Sequence, residues 1–239
     1  MRLKFIVCKA IQKEAYTVAA RSGNIVDILL MPQGLHNTPD ILRAEVQEEL
    51  DKTCDNQGNP YDAILLGYGL CGNGTVGLRA TIKTILPRAH DCITLLLGSR
   101  DAYQNYIDSH RGVYWYSDGW IATGTMPGQD RYERLLAEYS EKYGPENARY
   151  LLEMEQNWMK EYNWAVYIDW RLAGADAQSD YTRRCAEYLH WQYDYVEGSS
   201  GLMQRMADGD WNEREFLVIP PGGCIAEDLT NPDMVKVVS

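Results

Sequence analysis

The sequence lacks any run of basic residues. Its 34 acidic side chains outnumber its 23 lysines and arginines, so the formal net charge is −11. Binding to nucleic acid, or to an anionic membrane surface, needs clustered lysines and arginines. The composition therefore predicts no nucleic-acid partner and no membrane partner, and it leaves small molecules and other proteins as ligands.

Long apolar runs are missing as well. The opening stretch "MRLKFIVCKAIQKEA" has an apolar run only over residues 5–8. That run is too short for a signal peptide or for a membrane-spanning helix. We therefore predict a cytoplasmic protein. In that compartment the six cysteines are expected to be reduced thiols with metal, redox or packing roles.

Strand-like and helix-like segments alternate along the chain, which predicts an α/β fold with a mostly parallel, Rossmann-like sheet flanked by helices. Thr38 and Pro39 mark the start of one helix, and Ile41, Leu42, Val46 and Leu50 are predicted to form its buried face. We predict a single domain over residues 1–239. Two halves, 1–124 and 163–239, joined by a helical insertion over 125–162, are the alternative.

The stretch "LLGYGLCGNGTVGL" contains five glycines and follows a predicted strand. Gly67, Gly69 and Gly72 form the G-x-G-x-x-G pattern, which in dinucleotide-binding folds precedes a helix whose N-terminus receives the phosphates. Here "TVGLRATI" predicts a short helix at that place. A phosphate-bearing ligand would be bound by the loop and by a nearby arginine. The candidate cofactor-binding residues are Gly67, Gly69, Cys71, Gly72, Asn73, Gly74 and Arg88.

Cysteines and histidines follow several of the predicted strands. In a parallel sheet these strand ends meet at one crevice. Thiolate and imidazole ligands at such density favour zinc or an iron–sulfur cluster, although no C-x-x-C pair supports the spacing. The candidate metal ligands are Cys8, His36, Cys71, His90 and Cys92. Thiol chemistry without a metal, at Cys92 or Cys71, is the remaining alternative, with His90 as a base.

The segments "AILLGYGLCGNGTVGL", "PRAHDCITLLLGSR", "GLHNTPD", "YGPENARYLLEM" and "FLVIPPG" together resemble the domain-of-unknown-function family DUF1638, found in anaerobic bacteria and methanogenic archaea. The resemblance implies anaerobic one-carbon metabolism beside corrinoid-dependent methyl transfer. It also implies a role for Cys8, His36, Cys71, His90 and Cys92 at the motif positions. A corrinoid would then be a possible cofactor, and a corrinoid protein or methyltransferase a possible partner.

The function expected from these observations is a metal-binding protein, with zinc or an iron–sulfur cluster, in corrinoid-dependent methyl transfer. Whether it is itself a methyltransferase or an accessory protein is left open by the sequence. The first alternative is a cofactor- or nucleotide-binding module that uses the glycine loop without catalysis. The second is a thiol enzyme.

Overall fold

A computed structural model describes residues 1–228 and 234–238 of the chain. It divides into two compact units, the first made of Met1–Tyr103 with Gly198–Ser239 and the second of Gln104–Glu197. These bounds differ from those of the two halves, 1–124 and 163–239, that the sequence suggests. The single domain over residues 1–239 and its two-half alternative both stay predictions. Among the described residues, no helix combines the length and the apolarity needed to cross a bilayer.

The strands of the described residues are β1 Arg2–Cys8, β2 Ile25–Met31, β3 Ala63–Gly67, β4 Thr84–Pro87, β5 Val113–Ser117, β6 Trp164–Asp169, β7 Gln192–Glu197, β8 Phe216–Ile219, β9 Cys224–Asp228 and β10 Met234–Val238. The α-helices are α1 Gln12–Arg21, α2 Pro39–Leu50, α3 Cys92–Leu97, α4 Arg100–Ser109, α5 Asp118–Thr123, α6 Gln129–Tyr143, α7 Pro145–Glu155, α8 Ala175–Leu189 and α9 Gly201–Asp208. Short 3-10 turns add Lys9–Ile11, Leu35–Asn37 and Gln156–Glu161.

The first unit is built on a five-stranded sheet of order β2-β1-β3-β4-β8. Its first four strands are parallel, and β8 pairs antiparallel with β4. The strands β9 and β10 form a separate antiparallel pair. The second unit has a three-stranded parallel sheet of order β5-β6-β7. The expected α/β class with a mostly parallel sheet is confirmed.

The central strand β1 pairs with β2 on one side and with β3 on the other. The connection through α1 therefore runs in the opposite direction from the connection through α2. Since such crossovers are right-handed, the two helices lie on opposite faces of the sheet. In open parallel sheets such a reversal marks the crevice where ligands bind, here beyond the carboxyl ends of β1 and β3.

Burial is nearly complete in β1 and β3, the strands that border this crevice. All five residues of β3 and the last six of β1 are buried. The buried set includes Lys4, whose ammonium donates to the Glu49 carboxylate at 3.0 Å and to the Glu49 carbonyl at 2.6 Å. A buried charge is tolerated when it is paired and hydrogen-bonded in this way. The candidate residues at the ends of β1 and β3 are therefore attached to well-packed strands.

Helix α2 begins at Pro39, as the sequence predicts, but Thr38 makes no side-chain capping bond. Leu42, Val46 and Leu50 are buried, whereas Ile41 is 49% exposed. Assigning Ile41 to the buried face was wrong, because successive helical residues are 100° apart and Leu42 already takes the inward direction.

Candidate functional site

The candidate site lies where the carboxyl ends of β1, β3 and β4 meet. Cys8 is the last residue of β1, Tyr68 directly follows β3, and Cys92 begins α3 shortly after β4. Burial raises the pKa of the Tyr68 hydroxyl, and the charges of Cys8, Cys71 and Cys92 would raise it further. All three thiols are thus within electrostatic range of one hydroxyl. That the three cysteines could bind one ligand together stays a prediction.

The Tyr68 side chain is 3% exposed, and its hydroxyl makes no hydrogen bond to any described residue. Buried hydroxyls are nearly always paired, because leaving one unpaired costs about 1–3 kcal/mol. A buried hydroxyl without a partner is suited to donating a hydrogen bond to a ligand. Tyr68 lies between Gly67 and Gly69 in the loop and is not among the predicted site residues.

Cys71 is held in an unusual backbone conformation, with φ at 46°. Non-glycine residues rarely adopt this left-handed region, and they concentrate at functional sites when they do. The Cys71 N–H donates to the His90 carbonyl at 3.2 Å, which ties the glycine loop to the segment after β4. Burial raises the pKa of the Cys71 thiol to about 12, and the nearby Asp91 and Cys8 add to the rise.

The Cys8 thiol faces the same region from β1. Cys8 is 8% exposed, and its sulfur accepts the Ala10 N–H at 3.5 Å. Burial raises the pKa of Cys8, while the Ala10 N–H partly opposes the rise. Both Cys8 and Cys71 are therefore neutral thiols at pH 7 unless a bound cation stabilises the thiolate.

Asp91 organises the segment between β4 and α3. One oxygen of its carboxylate caps α3 by accepting the N–H groups of Ile93 at 3.0 Å and Thr94 at 3.4 Å. The other oxygen accepts the Tyr103 hydroxyl at 3.3 Å and lies 3.4 Å from Nδ1 of His90. Burial raises the pKa of Tyr103, with smaller contributions from Asp91 and Cys92. Tyr103 was missed in the sequence because it lies a helix away from the motif.

His90 occupies a different environment from the cysteines. Its side chain is 62% exposed. The hydrogen bond to Asp91 raises the pKa of His90, and partial burial opposes the rise. The structure thus places His90 beside Asp91 at the surface of the site, while Cys92 lies near both Tyr68 and Tyr103.

Three of the five loop glycines, Gly67, Gly69 and Gly74, make close contact with the protein's own atoms. A Cβ added at Gly69 would lie 2.6 Å from the Asp91 nitrogen and 2.7 Å from the Ala89 carbonyl oxygen. At Gly67 it would lie 2.7 Å from Val7, and at Gly74 it would lie 2.4 Å from Leu42. At these three positions a larger residue would collide with neighbouring atoms, so internal packing accounts for the glycines there.

No helix follows the loop, so the short helix predicted at "TVGLRATI" was wrong. The segment instead forms turns. Nε of Arg43 donates to the Val76 carbonyl at 2.5 Å, and Nη2 donates to the Asn73 carbonyl at 3.2 Å. These bonds satisfy loop carbonyls that a helix would have used itself. Arg43 belongs to α2, and no local pattern in the loop points to it.

The remaining predicted residues lie around the loop or away from it. The pKa of His36 is lowered by burial, and its carbonyl oxygen lies 3.8 Å from the position of a Cβ at Gly72. The Asn73 amide donates to Glu227 at 2.6 Å. The Arg88 guanidinium donates to the carbonyls of Glu213 and Val235.

The donor types at the site fit a soft metal, and the unpaired hydroxyl supplies a further polar group. The positions of these side chains do not yet form a metal site. Within residues 1–228 and 234–238, no three side chains of His, Cys, Asp or Glu are placed so that they could hold one metal ion. The five predicted ligands therefore do not form a closed ligand set.

Comparison with known proteins adds one result. The model of the family described as "Protein of unknown function (DUF1638)" matches residues 30–207, which is well over half of the chain and includes the glycine loop, Asp91 and Cys92. Neither the curated proteins nor the solved structures contain a match. The chain belongs to the DUF1638 family.

Proposed function

We propose that this protein binds a thiolate-ligated metal, zinc or an iron–sulfur cluster, in the crevice beyond β1, β3 and β4. Cys8, Cys71 and Cys92 are the proposed ligands, and Tyr68 donates to a group bound with the metal. The biological setting, anaerobic corrinoid-dependent methyl transfer with a corrinoid protein or methyltransferase as partner, comes from the family resemblance alone. We also propose that the sheet of the first unit is Rossmann-like.

The observation that carries this proposal is the buried Tyr68 hydroxyl, which lacks a hydrogen-bond partner while three thiols lie within electrostatic range. A phenylalanine in place of Tyr68 would fill the same space and would leave no buried hydroxyl unpaired. The left-handed backbone of Cys71 supports the same interpretation, since glycine would adopt it at lower cost.

A bound metal would supply a Lewis-acidic centre that lowers the pKa of a coordinated thiol. The chain's own residues would do the rest. Cys8 and Cys71 would lose their protons on binding, which the raised pKa of each makes unfavourable without a cation. Within the described residues no three His, Cys, Asp or Glu side chains are placed to hold one ion, so Cys8, Cys71 and Cys92 would have to move closer together on binding.

The two alternatives have less support. A pKa of about 12 leaves Cys71 almost entirely protonated at neutral pH, which disfavours Cys71, one of the two candidate thiols, as a metal-free nucleophile. The nucleotide-binding alternative needs a helix N-terminus after the loop, and the loop runs instead through turns into β4.

The test is metal analysis with an ultraviolet–visible spectrum of protein purified without oxygen. We expect stoichiometric zinc, or the visible absorption of an iron–sulfur cluster, in the wild-type protein. Cys8→Ser, Cys71→Ser and Cys92→Ser should each lose most of the metal. Cys54→Ser is the matched control, because Cys54 is an exposed cysteine of the same unit outside the crevice.

Circular dichroism of each variant separates loss of ligands from loss of fold. Metal retained by folded Cys71→Ser at the wild-type level would refute the proposed ligand set. Metal-free wild-type protein that also fails to take up added zinc would refute the metal site altogether.

A further inference from the structure

Strand β2 forms one edge of the five-stranded sheet. In the part of the chain that the structure describes, it pairs with β1 alone. The outer side of such a strand presents a row of backbone N–H and C=O groups that can pair with another strand. Seven residues is long for an edge strand, since natural edges are often kept short.

A groove of about 770 Å³ runs along this edge. Its lining includes residues 26–29, four consecutive positions of β2. Successive side chains of a strand point to opposite faces of the sheet. Four consecutive residues can therefore border one groove only if the groove follows the edge itself. An added strand would occupy this position.

The walls of the groove come from the two faces of the sheet. On the α1 side they are formed by Tyr16, Ala19 and Ala20, and on the α2 side by Glu49, Lys52 and the residues at 54–57. Tyr16 is 53% exposed at the rim. Tyrosine is enriched at protein interfaces because it combines an apolar ring with a polar hydroxyl.

Most of the features that normally protect an edge from pairing are missing here. The strand "IVDILLM" contains no lysine, arginine or proline. Its one charged residue is Asp27, whose carboxylate is bound by Arg2 at 2.9 Å and accepts a hydrogen bond from Tyr61. Ile25 is 56% exposed, and residues 26–30 are each partly exposed. An unprotected apolar edge of this length is expected to be covered.

We propose that this edge is an interface between two copies of the chain, with β2 pairing antiparallel with β2 of the second copy around a two-fold axis. An edge strand is self-complementary in this arrangement, since each pairing contact occurs twice. Pairing of all seven residues places Ile28 on the axis. Asp27 then lies opposite Leu29 and Val26 opposite Leu30, so the two Asp27 carboxylates are diagonal neighbours and not directly opposite each other. This proposal is independent of the proposed metal site.

Sedimentation velocity of the full-length protein across micromolar concentrations is the first measurement, and we expect a dimer. Ile28→Lys and Ile28→Glu each put like charges face to face at the axis and should weaken the dimer at least about tenfold. An equimolar mixture of the two variants should recover the dimer, because opposite charges then meet. Ile41→Lys is the matched control: Ile41 is 49% exposed on α2 outside the groove, so the variant should dimerise normally.

A wild-type protein that stays monomeric would overturn the proposal and would leave a strand of another protein as the occupant. Folded single variants that dimerise with unchanged affinity would also overturn it, as would a mixture no tighter than the single variants. Thermal unfolding of each variant verifies that a loss of dimer is not a loss of fold.

Discussion

Tyr68 carries a cost in the free protein, because its hydroxyl is buried without a hydrogen-bond partner. Tyr68→Phe should therefore raise the free energy of unfolding of metal-free protein by about 1 kcal/mol, while weakening retention of a bound ligand. Urea unfolding measures the first effect. Tyr116→Phe is the matched control with the opposite sign: the buried Tyr116 hydroxyl donates to the Pro127 carbonyl at 2.9 Å, so this variant should lose stability. A destabilised Tyr68→Phe would show that the hydroxyl has a partner in solution.

The Cys71 thiol links stability to pH. Its pKa is raised from 9.0 to about 12 in the folded chain, so the folded state holds its proton more tightly than the unfolded state. The resulting stability is fully present below about pH 9 and is lost as pH rises towards 12. Between pH 8 and pH 10, metal-free wild-type protein should therefore lose stability relative to Cys71→Ser.

Urea unfolding at several pH values measures the difference in stability between wild-type protein and Cys71→Ser. A difference that does not change with pH would contradict the expectation. The matched pair Cys54 and Cys54→Ser serves as the exposed control.

The placement of Cys8, Cys71 and Cys92 at one end of the sheet follows from the order of the elements, but whether they share one ligand stays a prediction. The position of His90 could not be predicted. The sequence places it next to Asp91, but only the fold shows that its ring is 62% exposed and bonded to that carboxylate. The pairing of Asp91 with Tyr103 depends on how α4 packs, which no local pattern encodes.

At the scale of elements, Gly69 sets how closely the loop approaches the segment before α3. Gly69→Ala would bring a Cβ to 2.6 Å from the Asp91 backbone nitrogen. Because backbone atoms cannot rotate away, the substitution should cost about 2–3 kcal/mol. Chemical unfolding provides the value. Gly23→Ala is the control, since no heavy atom lies within 4 Å of its added Cβ, and equal stability of the two variants would contradict the role given to Gly69.

Most elements could be predicted from periodicity. The strands β1 to β7 and the helices α6 to α8 follow apolar patterns that the sequence displays clearly. The turns after Gly74 were mistaken for a helix, because the Arg43 bonds that stabilise them come from another element. Helix α5 is only six residues long, and the antiparallel pair of β9 and β10 comes after the last strand expected from the sequence. Such elements depend on tertiary contacts that local patterns do not contain.

At the scale of the whole molecule, the second unit is one continuous segment with its own core. Tyr116, Tyr167 and Cys185 belong to that core, and all of its buried members lie within the segment. A fragment of residues 104–197 should therefore fold by itself, with a dispersed nuclear magnetic resonance spectrum and a cooperative thermal transition. Residues 1–103 alone are the control and should not fold stably, because they lack β8 and α9. An unstructured 104–197 fragment would contradict the division.

The pairing of β8 with β4 has a consequence for synthesis. About 130 residues separate the two strands along the chain, and β8 is among the last elements to be translated. At 5–20 residues per second, β4 waits roughly 7–25 seconds on the ribosome before its antiparallel neighbour exists. The second unit, which is continuous, is complete before then. The nascent first unit thus carries an open strand edge for much of translation, and this interval is when a chaperone or a misplaced strand would reach it.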